Sequence, residues 1–112
     1  MNASGIRTIG VVGLGAMGAG IAQLAIEAGF DTVGREVTDE LGETARERIA
    51  HFLQRKVDKE RMTRDEHELA LGRLSLTTDL DALADCDLVI EAIVEELEPK
   101  KTLFAVLEGI VR

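Results

Sequence analysis

Four short apolar runs punctuate a chain that is otherwise rich in charged residues. Each run is too short for a typical helix and contains β-branched residues, which favour buried strands. Glycine or acidic residues flank these runs and mark the turns between elements. The pattern therefore predicts four strands, at residues 6–12, 31–36, 74–77 and 87–93.

Between these runs, apolar residues recur every three or four positions, the period of a helix with one buried face. Thr63 and Glu66 have the spacing of a capping box. A proline in the first turn is typical of a helix start, so Pro99 predicts a last helix with Leu103, Val106, Leu107 and Ile110 on its apolar face. The predicted helical segments are 16–28, 39–57, 63–72, a brief turn at 78–84, and the helix from Pro99 onward.

The alternation of strands and helices predicts a parallel sheet wound by helices. We expect an α/β, Rossmann-type domain spanning residues 1–112, with strand order 3-2-1-4. The pair of helices after the second strand is an insertion that a minimal βαβ unit does not need. The fourth strand would then lie at the sheet edge. Because it is apolar and carries no proline or lysine, we expect marginal stability and self-association through that edge.

The composition and charge of the chain disfavour some classes of binding partner. The chain has 112 residues, 13 Lys and Arg against 21 Asp and Glu, and a net charge of −8. Such a chain repels nucleic acid and anionic membranes, and 3% aromatic residues offer little surface for stacking bases. One cysteine excludes a disulfide framework and suits a reducing cytoplasm, where we expect the protein. We predict no metal site and no membrane span.

The glycines at 13, 15 and 18 form a G-x-G-x-x-G motif between a predicted strand and a predicted helix. Gly13 permits a tight turn, Gly15 lets a pyrophosphate lie against the backbone, and Gly18 lets the helix approach the sheet. The helix start offers free N–H groups and a partial positive charge. This context predicts a dinucleotide site, to which the intervening Leu14, Ala16 and Met17 also belong.

An acidic residue at the end of the second strand supports that site. Glu36 stands about 20 residues after the motif, where its carboxylate can accept hydrogen bonds from the ribose hydroxyls of NAD. A carboxylate there also repels the 2′-phosphate of NADP. Arg35 could instead pair with that phosphate, so NADP stays open as an alternative to NAD.

Two stretches carry a family resemblance over residues 6–112. "GLGAMGAGIAQ" begins at Gly13, and "TTDLDALADCDLVIEAIVEELEPKKTLF" begins at Thr77. Together with the inserted helical pair, they resemble the 3-hydroxyacyl-CoA dehydrogenases. The β-hydroxyacid dehydrogenases share the first motif but lack the second motif and the insertion.

The resemblance implies roles for further residues. Glu95 and Lys100 match a glutamate and a lysine that contact the nicotinamide half of NAD, and Ala92 lines the same crevice. Lys59 matches a lysine that contacts coenzyme A on the inserted helices. Phe52 stands where some family members have a small hydroxylated residue, so the sequence departs from the family there.

The resemblance also implies a reaction, the oxidation of (3S)-3-hydroxyacyl-CoA to 3-oxoacyl-CoA with NAD in fatty acid metabolism. The family's catalytic histidine, glutamate, serine and asparagine would lie beyond Arg112, so no catalytic residue is assigned here. The domain is thus expected to be incomplete, inactive alone, and part of a homodimeric enzyme that binds acyl-CoA. The alternative is a stand-alone dinucleotide-binding module with a regulatory role and no turnover.

Overall fold

The fold is seen in a computed structural model, which describes residues 5–95 and 101–107, with side chains for residues 5–92. The elements are β1 Thr8–Val12, α1 Ala16–Glu27, β2 Asp31–Arg35, α2 Asp39–Asp58, α3 Arg64–Gly72, β3 Leu74–Thr77, a 3₁₀ turn Leu80–Leu83, β4 Leu88–Glu95 and β5 Lys101–Leu107.

The described strands form one sheet in the order β3-β2-β1-β4-β5. The first four are parallel, so the predicted Rossmann-type order 3-2-1-4 is confirmed. Each connection between these strands passes through helical structure, as parallel pairing requires. Their carboxyl ends therefore meet at one edge, which is where such sheets bind ligands.

The predicted last helix is wrong within the described residues, because Lys101–Leu107 forms a strand. This strand runs antiparallel to β4, with Val89 opposite Leu107 and Glu95 opposite Lys101. The prediction that β4 is the sheet edge is therefore also wrong. Short apolar runs fit a helix or a strand equally well by periodicity. Here the segment forms a strand, because its backbone pairs with backbone groups of β4 that would otherwise lack a partner on that side. Pro99 and Ile110 lie outside the described residues.

The main core lies on the sheet face covered by α1 and α2. Val11, Ala22 and Ile26 are inaccessible to solvent, and Ile49 and Leu53 bring α2 into the same cluster. On the other face, the described residues form a smaller cluster around Leu83, Cys86 and Val89. Cys86 fills space there, and burial raises the pKa of its thiol. No helix among the described residues is long and apolar enough to cross a membrane.

The inserted helices α2 and α3 are capped and tied to the sheet by side chains. Thr63 and Glu66 form the predicted capping box at the start of α3. The guanidinium of Arg46 donates to the carbonyl of Leu74 at 3.0 Å, which fixes α2 beside the amino end of β3. The insertion is therefore part of the packed body.

Two glycines of α1 provide a test of how closely this helix approaches β1. A methyl group at Gly18 would overlap the carbonyl oxygen of Gly13, whereas one at Gly20 would meet nothing within 4 Å. We expect Gly18→Ala to lower the free energy of unfolding by about 1–3 kcal/mol, the range for an overpacked core. Gly20→Ala should instead raise it by about 0.5–1 kcal/mol through helix propensity. Urea melts followed by circular dichroism measure both, and equal stabilities would contradict the close approach.

Candidate functional site

The chain leaves β1 through a tight turn at Gly13. Its φ of 91° lies in the left-handed region, which favours glycine. The N–H of Gly13 donates to the carbonyl of Arg35 at 3.0 Å, so the turn is bonded to the end of β2. The turn delivers the chain directly to Gly15, the residue that precedes α1. The loop is thus held at the carboxyl edge of the sheet.

The start of α1 differs from the other described helix starts. Thr38, Thr63 and Asp79 each cap a following helix or 3₁₀ turn with a side-chain oxygen. Gly15 has no side chain to do this, and the first turn of α1 contains no acidic residue. The N–H groups of this turn therefore lack a side-chain acceptor, which makes the turn a suitable place for an anion.

The backbone at Gly15 is also open to a ligand. A Cβ atom at this position would meet nothing within 4 Å, so no protein packing requires glycine here. Its φ of −66° and ψ of −165° are accessible to any residue. By contrast, the fold itself explains why positions 13 and 18 are glycine. Gly13 has a positive φ, and a side chain at Gly18 would overlap the backbone of Gly13. A group that approaches the loop from outside would account for the absence of a side chain at position 15.

Glu36 lies directly against this loop. One carboxylate oxygen accepts a hydrogen bond from the N–H of Leu14 at 2.7 Å, and the other accepts from the N–H of Val37 at 3.1 Å. The carboxylate is therefore fixed in position and half-buried. Since a carboxylate has about four lone-pair sites, it can accept further hydrogen bonds from hydroxyl groups.

Arg35 points to the other face of the sheet. Successive side chains of a strand alternate between faces, and the Nε of Arg35 donates to the carbonyl of Thr78 at 3.1 Å. Glu36, in contrast, lies on the face of Leu14 and α1. The two neighbouring side chains therefore lie on opposite faces of the sheet, and of the two only Glu36 lies against the glycine loop.

The nicotinamide-side candidates lie on β4, the strand beside β1. Val12, the last residue of β1, pairs with Glu91, and β4 continues through Ala92 to Glu95. Ala92 is buried and stands just past the end of β1. The backbone of Glu95 lies further along the same line, about 13 Å beyond Glu91 at the usual rise of a strand. The side chain of Glu95 and the whole of Lys100 lie outside the described residues.

Lys59 is not brought to the glycine loop. It caps the far end of α2, and the 20 residues of this helix span about 30 Å from the region of Glu36. Lys59 is exposed. Its neighbour Lys56 is paired with Glu27 at 2.6 Å, so it belongs to the packing of α2 on α1. Partial burial raises the pKa of Glu27, but hydrogen bonds from Lys56 and Gln23 and the charge of Lys56 outweigh it and lower the pKa overall.

Two clefts of about 440 and 460 Å³ lie at the turn between α2 and α3, and both are lined by Arg61, Met62 and Glu66. Phe52 lies higher on α2, is 42% exposed, and contacts the ring of His51 edge-on. None of these features adjoins the loop. Among the described residues, no group of three or more His, Cys, Asp and Glu side chains could hold a metal ion.

Sequence reasoning missed one residue of the site, Gly34. A Cβ atom there would lie 2.7 Å from the Cδ1 atom of Leu14, so a side chain at this position would force Leu14 to shift from its packing on β2. The signal was available, because an isolated glycine within a strand often marks a close approach.

Comparison with known proteins identifies the family of the chain. Residues 8–112 match the family model of the 3-hydroxyacyl-CoA dehydrogenase NAD-binding domain. The chain belongs to this family. Its cofactor is accordingly NAD, and the 3-hydroxyacyl-CoA dehydrogenases that contain such domains are oxidoreductases.

Named relatives agree with the family. The 3-hydroxybutyryl-CoA dehydrogenase of Mycobacterium tuberculosis is 42% identical over 106 residues, which are 95% of this chain and 37% of that protein. A probable 3-hydroxybutyryl-CoA dehydrogenase of Deinococcus radiodurans is 45% identical over 103 residues, covering 92% of this chain and 37% of that protein. The chain thus spans little more than a third of the length of these relatives.

Solved structures give the same result for the fold. The crystal structure of FadB2 from M. tuberculosis matches with a TM-score of 0.79 at 44% identity, covering 81% of this chain and 32% of that chain. The (S)-3-hydroxybutyryl-CoA dehydrogenase of Ralstonia eutropha matches with a TM-score of 0.79 at 37% identity, with the same two coverages of 81% and 32%.

Proposed function

We propose that the loop from Gly13 to Gly18 holds the pyrophosphate of NAD(H) and that Glu36 holds the adenosine ribose. The observation that carries this proposal is Gly15, whose missing side chain no packing explains. The uncapped start of α1 supplies N–H groups and a partial positive charge at the same point. Leu14, Ala16 and Met17 contribute through their backbone, because they form the loop and the first turn.

The local geometry resolves the apparent conflict between a dianionic ligand and a chain of net charge −8. A helix start contributes about 0.3–2 kcal/mol to holding a negative charge. Oriented N–H groups add hydrogen bonds that do not depend on the net charge of the surface. The site therefore selects a phosphate by its position, whereas the surrounding acidic surface disfavours anions that bind through bulk charge.

The nicotinamide half would extend toward β4. In open α/β sheets, ligands lie across the point where neighbouring strands lead in opposite directions, here between β1 and β4. Ala92 lines that crevice, and Glu95 with Lys100 would contact the cofactor beyond it. When bound, NAD accepts a hydride from the substrate. This chain binds and orients the cofactor for that transfer.

The reaction proposed for the whole enzyme is the oxidation of (3S)-3-hydroxyacyl-CoA to 3-oxoacyl-CoA. Support comes from the relatives, which are named as dehydrogenases of 3-hydroxybutyryl-CoA and, in Escherichia coli, of 3-hydroxyadipyl-CoA. Lys59 is proposed to contact coenzyme A, since it is exposed whereas Lys56 is paired. We also propose that the whole enzyme is a homodimer and that it is located in the cytoplasm.

The cofactor site is tested by adding a side chain at Gly15. Val at this position fits the fold but occupies the space proposed for the pyrophosphate, so Gly15→Val should bind NADH at least about 10-fold more weakly, the loss expected when charged hydrogen bonds are broken. Gly20→Val places the same side chain on the exposed side of α1 and should bind like the parent. Fluorescence titration of NADH measures all three proteins. Equal binding by the two variants would contradict the assignment.

The preference for NAD over NADP is tested at Glu36. Removing a charged hydrogen-bond partner costs about 1.5–3 kcal/mol, so Glu36→Ala should weaken NAD binding by about 10–100-fold. NADP binding should weaken far less or improve, because the repulsion of the 2′-phosphate is relieved. Arg35→Ala is the matched control and should leave the preference unchanged. A parent protein that already prefers NADP would contradict the role proposed for Glu36.

The chain alone should not oxidise 3-hydroxybutyryl-CoA. His51 and His67 lie on α2 and α3, away from the glycine loop, so the described residues offer no histidine base at the cofactor. Such a base typically contributes about 10²–10⁴-fold to the rate. The measurement is NADH production by purified protein, with a full-length relative as the positive control. Turnover that persists through purification would place the catalytic residues within this chain.

A further inference from the structure

One residue of the glycine loop is attached to β2 by both its side chain and its backbone. The side chain of Leu14 is 4% exposed and packs over Gly34, where a Cβ atom would lie 2.7 Å from Cδ1 and 3.1 Å from Cδ2. The N–H of Leu14 donates to the carboxylate of Glu36 at 2.7 Å. Because side chains alternate along a strand, positions 34 and 36 share the face that Leu14 contacts.

These two attachments depend on each other. Leu14 is buried in the main core, so its side chain must repack among core neighbours to make room for a larger residue at position 34. A methyl group at Gly34 must displace the end of the Leu14 side chain, and a shift that extends to the backbone of Leu14 would move its N–H as well. The hydrogen bond to Glu36 would lengthen, and the carboxylate would lose the contact that orients it toward the loop.

We propose that Gly34 is a positioning residue for the cofactor. By admitting the side chain of Leu14, it holds the glycine loop and the carboxylate of Glu36 at the separation that NAD requires between its pyrophosphate and its ribose. Neither Gly34 nor the side chain of Leu14 touches the cofactor. The inference rests on the proposed function, since it assumes that this loop and Glu36 bind NAD.

The physical effect is preorganisation. A loop and an acid already fixed relative to each other lose little conformational freedom when the ligand arrives, so more of the interaction energy appears as affinity. Leu14 connects the loop to β2 by two contacts, the hydrophobic packing of its side chain on Gly34 and the hydrogen bond from its N–H to Glu36. The side-chain packing fixes the loop on β2, and the hydrogen bond fixes the carboxylate of Glu36 on the loop.

Gly10 offers a matched control on the opposite face of the sheet. A Cβ atom there would lie 2.9 Å from the Cδ2 atom of Leu83 and 3.1 Å from the Sγ atom of Cys86. Gly10→Ala therefore crowds the core as Gly34→Ala does, through the ends of side chains, but away from Leu14 and Glu36. A general loss of stability should affect both variants, and a loss of positioning should affect only Gly34→Ala.

The experiment compares NAD affinity by calorimetry for the parent, Gly10→Ala, Gly34→Ala, Leu14→Ala and the double variant Gly34→Ala/Leu14→Ala. We expect Gly34→Ala to bind about 10-fold more weakly, the size of one charged hydrogen bond lost. The double variant should recover most of this loss, because the smaller side chain at position 14 makes room for the new methyl group. Gly10→Ala should bind like the parent, even with a lower melting temperature.

A second readout needs no cofactor. The amide proton of Leu14, observed by NMR, should shift upfield in Gly34→Ala as its bond to Glu36 lengthens, and should return toward the parent value in the double variant. Parent-like affinity and an unmoved amide in Gly34→Ala, or no recovery in the double variant, would overturn the inference. If Gly34→Ala does not fold, recovery of folding and affinity in the double variant supports it. A parent that fails to bind NAD would refute the proposed function instead, and the amide shift would still test the link.

Discussion

The contact between the start of α1 and the end of β1 is the constraint on which the rest of the site depends. Gly18 can lie against the carbonyl of Gly13 only because it has no side chain. This contact brings the first turn of α1 to the carboxyl edge of the sheet and aims its free N–H groups at the same edge. If the helix stood further away, neither Gly15 nor Glu36 would face a common ligand.

The positive end of α1 is effective because its surroundings differ from those of the other helices. Side-chain oxygens and first-turn acids satisfy the starts of α2 and α3, whereas α1 has neither. In the proposed site, an acidic chain would thus keep the surrounding surface unattractive to anions and still offer N–H groups to a phosphate at the start of α1. Glu36 would add selectivity to the proposed site, because its fixed carboxylate can accept from hydroxyl groups and would repel an additional phosphate.

Much of this arrangement could be predicted from the sequence, because the signals are local. The turn at Gly13, the capping box at Thr63 and the order of the four parallel strands all follow from short patterns. The segment Lys101–Leu107 could not be predicted, because its apolar spacing suits a helix or a strand and the choice depends on pairing with β4. Gly34 alone signals a close approach, but its partner Leu14 could not be predicted, since only the fold brings the two residues together.

The pairing of β5 with β4 changes how one side of the proposed cofactor crevice is supported. Glu91 is the last residue of β4 that pairs with β1, opposite Val12. β4 continues four residues past Glu91, and over this length it pairs with β5. The extension of β4 beyond the body of the sheet is therefore supported by the antiparallel strand, because an unpaired strand end would lose its backbone hydrogen bonds to β1 without replacement. Ala92 and the backbone of Glu95 lie on that extension. The side of the proposed crevice at β1 is therefore positioned by local contacts between β1 and α1. The side at β4 is positioned by the pairing of β4 with β5.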